Sequence, residues 1–335
     1  KLQEDSIKKK KNKTENIVRE MLEGLAEAYP DILEKLPDFN IIKRKTVSSK
    51  VNLVSGGGSG HEPAQERYVG YGMIDAAVAG EVFTSPTPDQ VLEGIKAVKS
   101  EKGVLLIIKN YSGDIMNFEM AAEMAEMEDI KVEKVVVNDD IAMEDSTYTI
   151  GRRGVAGTVL VHKISGAAAE DGLELDEVKR IAEKTIKNVK TLGMSLGPCT
   201  VPASGKESFH LEDDEIEMGL GIHGEPGIHK GKLKTADEHV EYMMEKLLSE
   251  QKFSENEKTA VLINGLGATP LMELYIINRK VSEILKNKKI EISETIVGNY
   301  MTSLEMPGFS ITLLKLDEEL EKYLKFKART PAYKN

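Results

Sequence analysis

An α/β fold is predicted, made of two α/β domains, each a mixed sheet flanked by helices. Three observations predict it. Short apolar runs alternate with amphipathic stretches along the chain, the pattern of strands interleaved with helices. The 335 residues correspond to two domains at roughly 100–200 residues each. Hydrophobic residues make up 40% and charged residues 30%, so the chain can bury a full core without staples.

The elements follow in order. Val51–Val54 reads as a strand that runs into the loop SGGGSGHEP. Asp89–Ser100 reads as a helix, because Val91, Leu92, Ile95 and Val98 recur at helical spacing. Val104–Ile108 (VLLII) is the type of strand buried on both faces. Asn117–Met127 repeats Met and Ala at helical spacing, and Val132–Val137 is the next strand. Glu170–Leu192 reads as mostly helical. The pattern changes near Gly193, so the domains are drawn as 1–188 and 189–335. Strand-like segments follow around Met194–Thr200 and Ile216–Gly221, then a glycine-rich loop, GIHGEPGIHKGK. Thr235–Leu248 and Leu271–Leu285 read as helices, with Val261–Ile263 a strand between them. Ile290–Val297 and Ile311–Leu316 are strands, and Asp317–Leu324 is a last helix.

Composition excludes several classes. A single cysteine, Cys199, excludes a disulfide framework and a cysteine-rich zinc module. The longest apolar run, Gly103–Ile108, falls far short of the roughly 20 residues of a membrane helix. No secretion signal opens the sequence, so no membrane partner is expected and the cytoplasm is the expected setting. A net charge of −11 and the absence of Trp argue against a nucleic-acid surface. The basic run Lys8–Lys13 (KKKKNK) reads as a solvated terminus.

Three motifs carry chemistry. Ser55–Gly60 (SGGGSG) lets backbone approach a ligand and offers N–H groups as an anion nest, and His61 follows it directly. It is neither a dinucleotide fingerprint nor a Walker loop, since His61 stands where the third glycine would be and no GK[ST] follows. Lys109–Asp114 (KNYSGD) follows VLLII, where open sheets bind ligands beyond the carboxyl ends of strands. Lys109 and Asp114 there suit a charge clamp and a general base, although Asp114 could equally cap the following helix. Gly221–Gly227 (GIHGEPG) flanks His223 with glycines, leaving an accessible imidazole that can act as a nucleophile. His162, His210, His229 and His239 have no such setting. No metal site is expected, because His61–Glu62 is not HExxH and His223 and His229 do not have ligand spacing.

Taken with FTSPTPDQ (Phe83–Gln90), IIKNYSGD (Ile107–Asp114), TIGRRGVAGT (Thr149–Thr158), GPCTVPASGK (Gly197–Lys206), GLGIHGEPG (Gly219–Gly227) and NGLGATPLMELY (Asn264–Tyr275), the SGGGSGHEP block resembles the substrate-binding subunit of dihydroxyacetone kinases. The resemblance covers nearly the whole chain. It implies a homodimer that binds dihydroxyacetone, with His223 capturing the ketone carbon as a hemiaminal. It further implies that Asp114 assists proton transfer and His61 hydrogen-bonds the ligand, with Gly58, Ser85 and Lys109 lining the site. No cofactor is implied on this chain; ADP or ATP with magnesium belongs to a partner subunit. A reversible carbonyl–imidazole bond would reject glycerol, which few hydrogen bonds could do for so small a ligand.

Two departures stand out. After GHEP the resemblance implies a second histidine and then a glycine, where this sequence has Gln65 and Arg67, with Glu66 between them. The C-terminal segment carries Lys327 and Arg329. All of these are expected on the outer surface, with Arg67 at the pocket rim obstructing a phosphoryl donor. The resulting expectation is a ligand sensor: a paralogue that captures dihydroxyacetone and coactivates a TetR-like regulator, without touching DNA itself. The alternative is the catalytic subunit of a phosphotransferase-dependent dihydroxyacetone kinase, working with a nucleotide-bearing subunit.

Overall fold

Strand and helix alternation is realised around two six-stranded mixed sheets. A computed structural model describes residues 9–143, 151–225 and 227–335. Lys8 of the basic run, Thr149 and Ile150 of the TIGRRGVAGT block and Pro226 of the GIHGEPG loop lie outside the described residues. The chain begins with α1 (Ile17–Ala28), β1 (Leu33–Lys35), β2 (Ile41–Arg44), β3 (Asn52–Ser59) and β4 (Ala76–Val82). It continues through α2 (Pro88–Val98), β5 (Val104–Lys109), α3 (Ser112–Glu126) and β6 (Val132–Val137). These strands form the first sheet, in the order β1-β2-β4-β3-β5-β6. Its last four strands are parallel, and β1 and β2 join antiparallel.

Two consecutive helices follow, α4 (Thr158–Glu170) and α5 (Leu175–Asn188). The second sheet is built from β7 (Val189–Ser195), β8 (Glu215–Met218), β9 (His229–Lys232), β10 (Lys258–Gly265), β11 (Glu291–Gly298) and β12 (Gly308–Leu316). Helices α6 (Ala236–Glu250), α7 (Leu271–Asn287) and α8 (Glu318–Leu324) accompany it. Its strand order is β11-β10-β12-β7-β8-β9, antiparallel except for the β10–β11 pair.

Strand periodicity divides the core into layers, since successive side chains leave a strand on opposite faces. On β5, Val104, Leu106 and Ile108 join a cluster with α2 and α3, whereas Leu105 and Ile107 face a central cluster. On β10, Val261 and Ile263 pack with α6 and α7, whereas Ala260 and Leu262 enter that same central cluster. The central layer therefore holds α1, α4, α5 and α8 between the two sheets. Every residue of α4 from Thr158 to Ala169 is buried, as expected for a helix covered on all sides.

Several elements start or stop differently from the sequence reading, and each difference has a local cause. Thr235 caps α6: its Oγ1 accepts from the Glu238 backbone N–H at 3.3 Å, and Glu238 Oε2 accepts from the Thr235 N–H at 3.0 Å. This reciprocal pair sets the helix start. The helical reading of Glu170–Leu192 overshoots, because Val189–Leu192 already belongs to β7 and pairs with β12. Within Met194–Thr200 only Met194 and Ser195 belong to a strand, and Thr200 makes an isolated antiparallel bridge to Glu207. Part of the GIHGEPGIHKGK segment is a strand, since His229–Lys232 forms β9 against β8.

The order β4-β3-β5-β6 has one functional consequence. The chain leaves β3 to one side for β4, then crosses to the other side for β5. The carboxyl ends of β3 and β5 therefore flank a topological switch point, where such sheets open a crevice. Gly56–Ser59 and Lys109 are the residues at those two ends.

Candidate functional site

The glycine run is strand rather than loop. β3 continues through Gly56, Gly57 and Gly58, all paired with β4. Gly57 has φ +140°, and a Cβ there would lie 2.5 Å from Lys109 Nζ and 3.3 Å from Asp114 Oδ2. The bare backbone thus gives the Lys109 ammonium its place. Lys109 is buried at the end of β5, its Nζ 3.6 Å from Asp114 Oδ2 and without a hydrogen-bond partner. An ammonium has three donors to satisfy, so it is aimed where a polar ligand group would be held.

Asp114 is buried in the first turn of α3. The cap position of that helix is Tyr111, so Asp114 does not serve as the helix cap. Its carboxylate lies over the N-terminal turn, where the helix dipole favours negative charge. Ser85 approaches the same turn, with its Cβ 3.3 Å from where a Gly113 Cβ would be. Gly58 is packed against the Phe83–Thr84 backbone, and a Cβ there would meet Thr84 N at 2.6 Å.

The two histidines meet although 162 residues separate them. His61 Nε2 and His223 Nε2 are 3.0 Å apart. His61 is 1% exposed, and its Nδ1 lies 2.8 Å from the Thr302 carbonyl oxygen. Burial, the nearby His223 and the Lys109 ammonium hold the His61 ring well below the usual imidazole range. The rings sit in an aromatic cage. Phe83 stacks on His61 at 5.3 Å and meets His223 edge-on at 5.3 Å, and Tyr111 meets His223 edge-on at 4.6 Å.

Glu225 supports His223 from below. Its Oε1 accepts from His223 Nδ1 at 2.7 Å, and its Oε2 accepts from the His223 backbone N–H at 2.9 Å. Burial pushes the Glu225 carboxyl up, but the hydrogen bond and charge of His223 outweigh it and hold the group at about 2. Arg153 stands behind: a Cβ on Gly221 would come within 2.7 Å of its guanidinium and 2.1 Å of Glu225 Oε2. Arg153 donates from Nε to Asp140 Oδ2 at 2.8 Å and from Nη2 to the Gly219 carbonyl at 2.8 Å. Ionised Glu225 fixes the hydrogen on Nδ1 and leaves Nε2 as the nucleophilic nitrogen.

The structure thus brings together Gly58, His61, Ser85, Lys109, Asp114 and His223. Sequence reading passed over Glu225, Tyr111, Arg153 and Thr302. Glu225 carried a usable signal, since a carboxylate two residues from a glycine-flanked histidine is within reach of its ring. Thr302 carried none, because it acts through its backbone carbonyl. Of the other histidines, His162 is buried against Gln65 and pushed down to about 3 by burial and Lys109. His239 accepts the Lys234 N–H, and His210 and His229 are exposed. Among the described residues, no group of three or more His, Cys, Asp or Glu could hold a metal ion, and no helix is long and apolar enough to cross a membrane.

The segment after the glycine nest corrects one expectation. Gln65 and Glu66 are buried. Arg67 does not reach toward the ligand rim: its guanidinium lies over the Tyr29 ring at 5.8 Å and donates to the Tyr29 hydroxyl and the Pro331 carbonyl, each at 3.3 Å. The long stem is used to join α1 to the C-terminal segment. Lys327 and Arg329 are exposed, as expected.

A model of the Dak1 domain matches residues 23–332. The chain belongs to the Dak1 family. It is 56% identical over 314 residues to the dihydroxyacetone-binding subunit DhaK of PTS-dependent dihydroxyacetone kinase 1 from Listeria innocua, covering 93% of this chain and 95% of that protein. It is 57% identical over 309 residues to the corresponding Lactococcus lactis subunit, covering 92% and 93%. Among solved structures, the dihydroxyacetone kinase operon co-activator Dha-DhaQ superimposes with a TM-score of 0.89 at 39% identity, over 94% of this chain and 97% of that one. The chain is therefore similar both to kinase subunits and to a kinase operon co-activator.

Proposed function

We propose that this Dak1 chain captures dihydroxyacetone on His223 as a hemiaminal and acts as the substrate-binding subunit of a phosphotransferase-dependent dihydroxyacetone kinase. The observation that carries the reading is the convergence of a carboxylate-oriented imidazole, His223, with Asp114 and the Lys109 ammonium, ion-paired to Asp114 but without a hydrogen-bond partner, around the bare backbone of Gly57. His223 Nε2 would attack the ketone carbon, Asp114 would take the proton of the hydroxyl to be phosphorylated, and Lys109 and His61 would hold the ligand's oxygens. Gly58 and Ser85 would wall the pocket. In this reading the protein works as a homodimer in the cytoplasm, needs no cofactor of its own, and meets ADP or ATP with magnesium on a separate subunit.

The inward course of Arg67 removes the obstruction that favoured a purely sensory role. The likeness to the co-activator supports a second reading, in which the captured ketone signals to a TetR-like regulator. Two measurements test the pair. A crystal soaked in dihydroxyacetone should show continuous density from His223 to the ligand carbon, and His223→Ala should lose binding. Full-affinity binding by that variant refutes capture. With the nucleotide-bearing subunit and its phosphoryl supply present, turnover is expected; intact capture without turnover hands the chain to the co-activator reading.

A further inference from the structure

We propose that Tyr111 is a positioning residue of the site: the face of its ring holds the Lys109 ammonium in place and leaves the N–H groups of that ammonium to the ligand. The second half rests on the capture reading above.

The ammonium is located without its donors being used. Lys109 is 1% exposed, and its Nζ makes no hydrogen bond. Two contacts hold it. Asp114 Oδ2 lies 3.6 Å away, beyond hydrogen-bond distance, and the centre of the Tyr111 ring lies 5.7 Å away. Within about 6 Å an ammonium is attracted to the negative face of an aromatic ring. A buried charge needs such compensation. A carbonyl or carboxylate in the place of the ring would accept one of the three N–H groups. A ring face offsets part of the charge and accepts none of them.

A tight turn fixes the ring there. The Tyr111 N–H donates to the Lys109 carbonyl at 2.8 Å, which folds the chain back on Lys109. Asn110, between them, is tied down at both ends. Its N–H donates to the Val137 carbonyl at 3.0 Å, and its side-chain amide donates to the Arg152 carbonyl at 2.6 Å. Tyr111 then takes the cap position of α3 with an extended backbone, and its carbonyl accepts the Ile115 N–H at 2.9 Å. The same ring meets the His223 imidazole at 4.6 Å, inclined by 83°. One side chain thus touches both the cation at the end of β5 and the imidazole that follows β8.

The hydroxyl does not serve this purpose. It is buried and bonds no group of the described residues. Burial and the charge of Glu225 push the phenol well above its usual range, so it stays neutral. The electron-rich ring, which phenylalanine also has, is the working part.

Two measurements on the full-length chain test the proposal. Ring current shields groups above a ring face. In unliganded protein carrying isotope-labelled lysine, the ε-methylene NMR signal of Lys109, assigned by its loss in Lys109→Arg, should therefore lie upfield of its position in Tyr111→Leu. Tyr111→Phe should keep the upfield position. In calorimetric titration with dihydroxyacetone, Tyr111→Phe should bind like the unmodified chain, and Tyr111→Leu roughly three- to thirtyfold more weakly. Where Tyr111→Leu does not fold, phenylalanines bearing one, two and three fluorines at position 111 replace it. They keep the shape of the ring while draining its face of electron density. Affinity should fall with each fluorine, a trend that packing alone does not produce. A Lys109 signal indifferent to the ring, an affinity indifferent to the fluorines, or binding lost in Tyr111→Phe overturns the proposal. A shifted Lys109 signal with no binding of dihydroxyacetone by the unmodified chain upholds the positioning and removes the capture reading instead.

Discussion

Replacing Gly57 by alanine puts a methyl group into the centre of the site. The backbone there has φ +140°, a region that residues other than glycine adopt only at a cost of roughly 1–3 kcal/mol. The new Cβ would lie 2.5 Å from Lys109 Nζ, where an ordinary contact needs about 3.5 Å. The ammonium is the free end of a flexible side chain, so it retreats by about 1 Å rather than breaking the sheet. Folding stability should therefore fall by roughly 1–3 kcal/mol. Binding should suffer separately, because losing a hydrogen bond to a charged group costs about 1.5–3 kcal/mol, or roughly ten- to a hundredfold in affinity. Calorimetric titration with dihydroxyacetone and denaturant unfolding measure the two effects. The matched control is Gly24→Ala in α1, where a Cβ meets nothing within 4 Å. That change should raise stability by up to about 1 kcal/mol and leave binding alone. A Gly57→Ala protein with unchanged affinity would show that Lys109 is not poised for a ligand.

Arg67→Gly should lower stability by about 0.5–2 kcal/mol through the lost Tyr29 and Pro331 contacts, with turnover in the coupled assay unchanged. A gain in turnover would return Arg67 to the docking rim. Glu66 is pushed up to about 7 by burial and by Glu62. An acid raised in the folded state binds its proton more tightly there than in the unfolded chain, so stability should fall as pH rises from about 4.5 to 7. Glu66→Gln should flatten that limb in thermal denaturation across pH; an unchanged slope would mean the carboxyl is solvated.

How much of this was legible follows from the residues themselves. Val104–Ile108 and Val132–Val137 are continuous apolar runs, and both are strands of the first sheet. Ala76–Val82 (AAVAGEV) also forms a strand, but its alanines and glycine have low strand propensity and gave no signal. Helix α4 was equally silent, since a helix buried on every side has no apolar stripe to detect. The glycines of Ser55–Gly60 suggested a loop, yet the sheet pairing of β3 overrides that preference. At the site, His61, Lys109, Asp114 and His223 stand in compact motifs and could be named. What the motifs could not show was direction: that Glu225 turns back onto His223, or that Arg67 turns inward.

The histidine pair is contributed by two sheets that share a single helical filling. His61 follows β3 of the first sheet, and His223 follows β8 of the second, while α4 fills the space between. The 3.0 Å gap between the imidazoles is therefore a gauge of how the two halves are seated. A methyl group added or removed along Val159, Leu160 or Ile164, residues of the central layer, would reset that gap without touching a ligand. Such a change would be read in an assay as a defect in chemistry, although its origin is mechanical. Variation in α4 is thus a route by which relatives with identical pocket residues could differ in how readily they trap a carbonyl.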